Sequence, residues 1–318
     1  MKRIITIMLM LSIILLMVTG NTFAANDVKI GLAAYYSAHD WALDNLRGMR
    51  DEAAKQGVEL IETMSNEDVL THAENIESLI NSDVDVIISL LGEHEAMRPL
   101  ANKCADAEIP LIFIDGGLDA RGVSLNISSD NVEIGRRIGR WLVEKLEGKG
   151  NIIAMVHPTI DCTHARELGM KEIIADYPEI KILEEHDFDF KGAISTAKSL
   201  TESALLKYGA DNIDAIFGAS DGRVIGAAIA LDDAGRTDIP VVATDGLSEA
   251  LNMINSGSSF QLSMLQDAEQ MGRTAIIEGI KLAQGIELES NVIYVDPILV
   301  DRDNVEEIYT ELQKARKK

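Results

Sequence analysis

Short runs of consecutive apolar residues recur along this chain: "VKIGLAAY", "VDVIISLL", "IPLIFID", "GNIIAMVH", "IDAIFGAS" and "IPVVATDG". The stretches between them return apolar residues at i, i+3 and i+4, as in "NVEIGRRIGRWLVEKLEGKG". Strands that are apolar throughout must be covered on both faces, and the amphipathic stretches supply helices to cover them. The pattern predicts an α/β protein built on doubly wound parallel sheet. Trp141 falls on the apolar face of its helix with Ile134, Ile138 and Leu142, and reads as core.

The pattern also repeats. "VDVIISLL" at 84–91 and "IPLIFIDGG" at 109–117 are echoed by "IDAIFGAS" at 213–220 and "IPVVATDGL" at 239–247, offsets of 129 and 130 residues. Upstream, "RGMRDEA" at 47–53 resembles "LGMKEII" at 168–174. Solenoid modules repeat every 20–50 residues or so, which excludes that architecture. Two similar α/β domains are predicted, each with its binding edge at the carboxyl ends of its strands. Asp115 and Asp245 end equivalent strands, so two facing domains would turn both carboxylates into one cleft. Asp-Gly is also ordinary turn chemistry. Its recurrence at equivalent positions favours the cleft.

The N-terminus adds a compartment. Lys2 and Arg3 precede an apolar run from Ile4 to about Val18, and "TGNTFAAND" closes it with small residues. Thr22 and Ala24 suit a secretory cleavage site, so residues 1–24 read as a signal peptide and the mature chain as beginning at Ala25. An apolar core of about 15 residues is short for a membrane span of about 20. No cysteine lies near the cleavage point to carry a lipid, which favours a free periplasmic protein. Removing Lys2 and Arg3 with the signal takes the formal net charge from −23 to −25. So acidic a surface repels nucleic acid. Cys104 and Cys162 are the only cysteines; they are expected in different domains and reduced, Cys104 on a helix and Cys162 in a loop.

No phosphate-cradling or serine-hydrolase motif is present. Paired aspartates permit a glycosidase, but carboxylates on two domains would lack the fixed geometry that acid–base work needs. "HPTIDCTH" gathers His157, Cys162 and His164 at a spacing that matches no standard zinc motif. His164 is expected to start a helix, with Thr163 or Asp161 as N-cap. No metal or other cofactor is expected.

The export signal, the repeated α/β domains, "SDN" at 129–131 and the terminal "IPxxxxDG" together resemble the type I periplasmic sugar-binding proteins, the ribose-binding group above all. The resemblance covers the whole mature chain. It implies two doubly wound lobes joined by a three-stranded hinge, lobe I being 25–129 plus 267–295 and lobe II 130–266 plus 296–318. Carried over by position, it makes His39 a polar contact and Trp41 a stacking aromatic. Asp115, Arg166, Phe188, Ser220, Asp245 and Gln266 complete the ligand set. Ala42, Gly116 and Ser220 stand where the family has an aromatic, an arginine and an amide, which points away from ribose itself. Tyr35 or Tyr36 could fill some of the space; with Asp40 and Gly116 they form an outer set of candidates.

The function implied is non-catalytic capture of a monosaccharide or related polyol by a monomer, and delivery to the membrane permease of an ABC importer. A chemoreceptor or sensor kinase could read the same closed form. The alternatives are a secreted glycosidase or sugar-modifying enzyme using Asp115 and Asp245, or a receptor for another small molecule, such as an autoinducer or amino acid.

Overall fold

The computed structural model describes residues 27–116, 119–188 and 191–316. The predicted export segment, with its cleavage near Ala24, lies outside them. Among the described residues no helix is long and apolar enough to cross a membrane.

Two six-stranded sheets organise the chain. The first is built from β1 (Lys29–Ala34), β2 (Glu59–Met64), β3 (Val86–Leu90), β4 (Leu111–Ile114) and β5 (Val123–Ser128), in the spatial order β5-β4-β3-β1-β2. Its helices are α1 (Asp40–Gln56), α2 (Val69–Ile80) and α3 (His94–Asp106). The second holds β6 (Lys149–Val156), β7 (Glu179–Asp187), β8 (Ala215–Gly218), β9 (Val241–Asp245) and β10 (Phe260–Leu265), in the order β10-β9-β8-β6-β7. Around it lie α4 (Asn131–Lys145), α5 (Asp161–Ile174), α6 (Ala193–Tyr208), α7 (Asp221–Asp233) and α8 (Ser248–Ser256). The chain then returns through α9 (Ala268–Ala283) to place β11 (Val292–Tyr294) beside β5 in the first sheet. It crosses again so that β12 (Ile298–Asp301) lies antiparallel to β10 in the second. Helix α10 (Val305–Arg316) ends the described chain.

The burial pattern follows from covering each sheet on both sides. Every residue of β3, β4, β8 and β9 is buried, whereas the edge strand β2 is exposed or half-buried along its length. This is why the central runs are continuous Val, Ile and Leu rather than alternating.

The "GM" echo in the sequence has a packing cause. Helices α1 and α9 cross so closely that a Cβ on Gly48 would lie 2.2 Å from the Glu269 carbonyl oxygen, and one on Gly272 2.2 Å from that of Asn45. In the second unit α4 and α5 make the same crossing. A Cβ on Gly135 would meet the Arg166 carbonyl oxygen at 2.0 Å, and one on Gly169 that of Val132 at 2.1 Å. Each pair of glycines lets two helix backbones touch, and the second pair fixes the turn of α5 that carries Arg166.

The loop assignment for Cys162 is corrected. Helix α5 begins at Asp161 with Ile160 as N-cap, so Cys162 lies in its first turn and His164 does not start it. Thr163 donates its hydroxyl to the carbonyls of His157 (2.5 Å) and Ile160 (2.8 Å), anchoring that turn from inside the helix rather than as its cap. Cys104 and Cys162 are buried and free, Cys104 in the core of the first sheet and Cys162 at the start of α5. Trp141 is half-buried against the second core, where Ile134, Ile138 and Leu142 are fully buried.

Candidate ligand site between the two sheets

The carboxyl ends of the strands meet between the sheets, as their parallel winding requires. From the first sheet come Leu91, just past β3, Asp115, just past β4, and His39 and Trp41 at the start of α1. From the second come Ile160, Cys162, Thr163 and Arg166 at the start of α5, Ser220 before α7, and Asp245 ending β9. Together they enclose a cavity of about 30 Å³. An open cleft of about 410 Å³ behind Cys162, lined by Asn126, Asp130, Asp161 and Tyr294, includes neither Asp115 nor Asp245.

Arg166 is the centre of the site. A guanidinium has five N–H donors in a fixed fork, and all five are engaged. Nε donates to Asn131 Oδ1 (2.7 Å); Nη1 donates to the Ala219 carbonyl (2.9 Å) and Asp245 Oδ1 (3.2 Å); Nη2 donates to Gln266 Oε1 (2.9 Å) and Asp115 Oδ2 (3.3 Å). Asp115 also accepts from Ser128 Oγ (2.5 Å), Asn131 Nδ2 (2.9 Å) and Gln266 Nε2 (3.2 Å). Arg166 and Asp115 are each 2 % exposed and Asp245 8 %, so the charges are held in a nearly dry setting. Ions this buried persist only when paired and hydrogen-bonded.

Two acids share one cation, and the imbalance shows at Asp245. Burial pushes its carboxyl well above the usual range; Arg166 opposes the shift, while Asp221 and Asp115 reinforce it. Asp221, fully buried beneath the site, is pushed up to about 6 by burial. It accepts from the Gly246 and Leu247 amides (both 2.9 Å) and from Ser263 Oγ, and so pins the turn after Asp245. That turn is strained: φ is 134° at Asp245, and Asp115 at the equivalent place has φ 55°. Left-handed backbone at a non-glycine residue is uncommon and gathers at functional positions.

Three polar atoms of cavity-lining residues are buried with no hydrogen-bond partner among the described residues: His39 Nδ1, Trp41 Nε1 and Ser220 Oγ. Each costs free energy unless something in the cavity bonds it. Burial lowers the His39 pKa to about 4, so its ring is neutral. Tyr36 packs 4.3 Å from the His39 ring, its hydroxyl pushed up to about 12 by burial, Glu67 and Asp245.

Of the residues singled out in the sequence, the fold gathers His39, Trp41, Asp115, Arg166, Ser220, Asp245 and Gln266. Others lie elsewhere. Phe188 is half-buried at the end of β7, with the Arg223 guanidinium over its ring at 5.0 Å and bonded to its carbonyl. The Tyr35 hydroxyl turns to the Glu67 carbonyl and Glu93 (both 3.2 Å). Asp40 accepts from Ser248 and Arg316 at the rim. Gly116 is backed by the Phe113 ring, which a Cβ would strike. His157 pairs with Asp187 (3.0 Å) and His164 with Glu167 (3.4 Å), and among the described residues no group of three could hold a metal. Sequence reasoning missed Asn131, Asp221 and the apolar wall of Leu91 and Ile160. Neither of the first two carried a local signal, since "SDN" and "SDG" read as ordinary helix starts after strands.

Comparison with known proteins agrees with this geometry. The xylitol-binding protein of Mycolicibacterium smegmatis is 29 % identical over 306 residues, covering 93 % of this chain and 84 % of its own. A solute-binding protein of an Agrobacterium vitis ABC transporter, solved with bound allitol, superposes with a TM-score of 0.85 at 26 % identity, covering 89 % of this chain and 98 % of that one. An ABC sugar transporter subunit from Rhodobacter sphaeroides superposes with a TM-score of 0.83 at 28 % identity, covering 87 % and 99 %. Residues 30–287 match the family described as periplasmic binding protein domain. With the paired sheets and the site between them, this chain belongs to the periplasmic binding protein family.

Proposed function

We propose that this protein captures a neutral polyol or monosaccharide between its two lobes and delivers it to the membrane permease of an ABC importer. The observation that carries the reading is the convergence of His39 Nδ1, Trp41 Nε1 and Ser220 Oγ, all unpartnered, on a cavity rimmed by Asp115, Arg166 and Asp245. A hydroxyl both donates and accepts, so a polyhydroxylated ligand satisfies all of these groups, while its C–H face packs on the indole of Trp41. The binding of xylitol and allitol by relatives supports the same ligand class. Nothing in these relatives favours the glycosidase reading, and both aspartates are tied to one guanidinium.

The cavity of about 30 Å³ is far below the roughly 300–1,000 Å³ of small-molecule pockets. Loading therefore requires the lobes to part, a hinge motion common to two-lobed receptors. The lobes are 25–129 plus 267–295 and 130–266 plus 296–318, moving about three crossings as a monomer in the periplasm after loss of residues 1–24. A chemoreceptor or sensor kinase could read the closed form as the permease does. A thermal-shift screen over xylitol, allitol, ribose, allose and inositols tests the reading, because a ligand that binds only the folded state raises its melting temperature. No shift with any neutral polyol or sugar would refute it.

A further inference from the structure

The lobes also meet away from the cavity. Helix α10 packs on α8 and β12 of the second lobe, and its residue Arg316 reaches across to α1 of the first. Arg316 Nε and Nη2 both donate to Asp44 Oδ2 (3.0 and 2.7 Å), and Nη1 donates to Asp40 Oδ2 (2.9 Å) and Ser248 Oγ (2.5 Å). The Ser248 amide, at the start of α8, donates to Asp40 Oδ2 at 2.7 Å. The Arg316 side chain is 12 % exposed and that of Asp44 9 %, so this is no loose surface pair. Asp40 and Asp44 lie four residues apart, one helical turn, and Trp41 stands between them on the same helix. None of the four residues lines the cavity.

We propose that Arg316 is an interlobe latch, a positioning residue that sets ligand affinity without touching ligand. Its bonds to Asp40 and Asp44 exist only while the lobes are together, so they raise the closed fraction. Ligand enters with the lobes parted and is held when they close on it, so bonds that favour closure slow its release and raise apparent affinity. The latch grips the helix that carries His39 and Trp41, so it also fixes the wall against which a ligand closes. The proposal does not depend on which polyol binds.

The test uses spin labels at two exposed helix positions, Leu70→Cys on α2 and Leu206→Cys on α6, one on each lobe. Interlobe distances are measured without ligand and with xylitol, in the otherwise native protein and with Arg316→Ala, Arg316→Lys or Asp40→Asn. The latch predicts a smaller closed fraction in all three variants, least changed in Arg316→Lys. It also predicts xylitol release about five- to tenfold faster in Arg316→Ala, with little change in association. Raising salt to about 0.5 M should reproduce part of the effect in the native protein and little of it in Arg316→Ala. Unchanged distances and release rates in Arg316→Ala and Asp40→Asn would overturn the latch. A native protein that binds no polyol would refute the proposed function instead, while the ligand-free distances still decide the latch.

Discussion

Asp115 and Asp245 end equivalent strands of two different sheets, and they bond the two terminal nitrogens of one guanidinium, Asp115 at Arg166 Nη2 and Asp245 at Nη1. An internal repeat 130 residues long thus becomes a pair of carboxylates facing each other across a single cation.

Arg166 is therefore the least replaceable residue of the site. Arg166→Ala leaves two buried carboxylates without their cation, and should lower unfolding stability by about 3–5 kcal/mol, the scale for breaking a buried ion pair. Arg166→Lys should restore little, because one ammonium cannot reproduce five fixed donors. Urea denaturation measures the first effect and calorimetry the loss of binding in both.

Gly135→Ala and Gly169→Ala should each destabilise the second lobe by about 1–3 kcal/mol, the usual cost of forcing extra atoms into close packing. Each added methyl would stand 2.0–2.1 Å from a carbonyl oxygen of the neighbouring helix. Since one of those carbonyls belongs to Arg166, binding should weaken too. Denaturation midpoints and calorimetry on the two variants check both consequences.

Acid should destabilise the fold in a window set by two histidines. Burial lowers His39 and His72 from 6.5 to about 4. His72 is held between Ser65 Oγ (2.9 Å) and Ser89 Oγ (3.0 Å). A base with a depressed folded pKa contributes stability that is complete above its unfolded value and lost as pH falls through the folded one. The loss should run from about pH 6.5 to about pH 4, at about 3 kcal/mol for each ring. Asp221 acts in the opposite sense: raised to about 6, it contributes stability present below its ordinary 3.8 and lost as pH rises through about 6. Melting temperature against pH for native, His72→Gln and Asp221→Asn proteins separates them, the first substitution flattening the acid limb and the second steepening it.

Trp41 should report ligand directly. It lines the cavity, and its indole N–H has no partner among the described residues, whereas the other tryptophan, Trp141, is half-buried on α4 with Lys145 5.7 Å from its ring centroid. Ligand should shift the emission, Trp41→Phe should remove most of the response, and affinity should fall by about 1 kcal/mol for the lost hydrogen bond. A full response in Trp41→Phe would place the ligand elsewhere.

The fold was readable in the sequence because each of its determinants is local: apolar runs for doubly covered strands, helical periodicity between them, and a repeat too long for a solenoid. Asp115 and Asp245 were readable from the repeat, and Arg166 and Gln266 from the family resemblance. Asn131 and Asp221 were not, because each resembles an ordinary helix-start residue until its distant partners are in place. Asn131 then bridges Asp115 and Arg166, and Asp221 holds the turn behind Asp245. Phe188, whose place in the order of motifs implied a ligand contact, lies just past β7 with the Arg223 guanidinium over its ring. The Arg316 contact joins residues 272 and 276 positions apart, and no local pattern signals it.

The most direct test of the central claim is titration calorimetry of native, Asp115→Ala and Asp245→Ala proteins with the neutral polyol that gives the largest thermal shift, followed by recovery of the ligand. Binding of one equivalent, recovered chemically unchanged and weakened by about 1.5–3 kcal/mol in each variant, is the result predicted for hydrogen bonds to buried charged groups. Binding of undiminished strength in both variants, or conversion of the ligand to product, would contradict it.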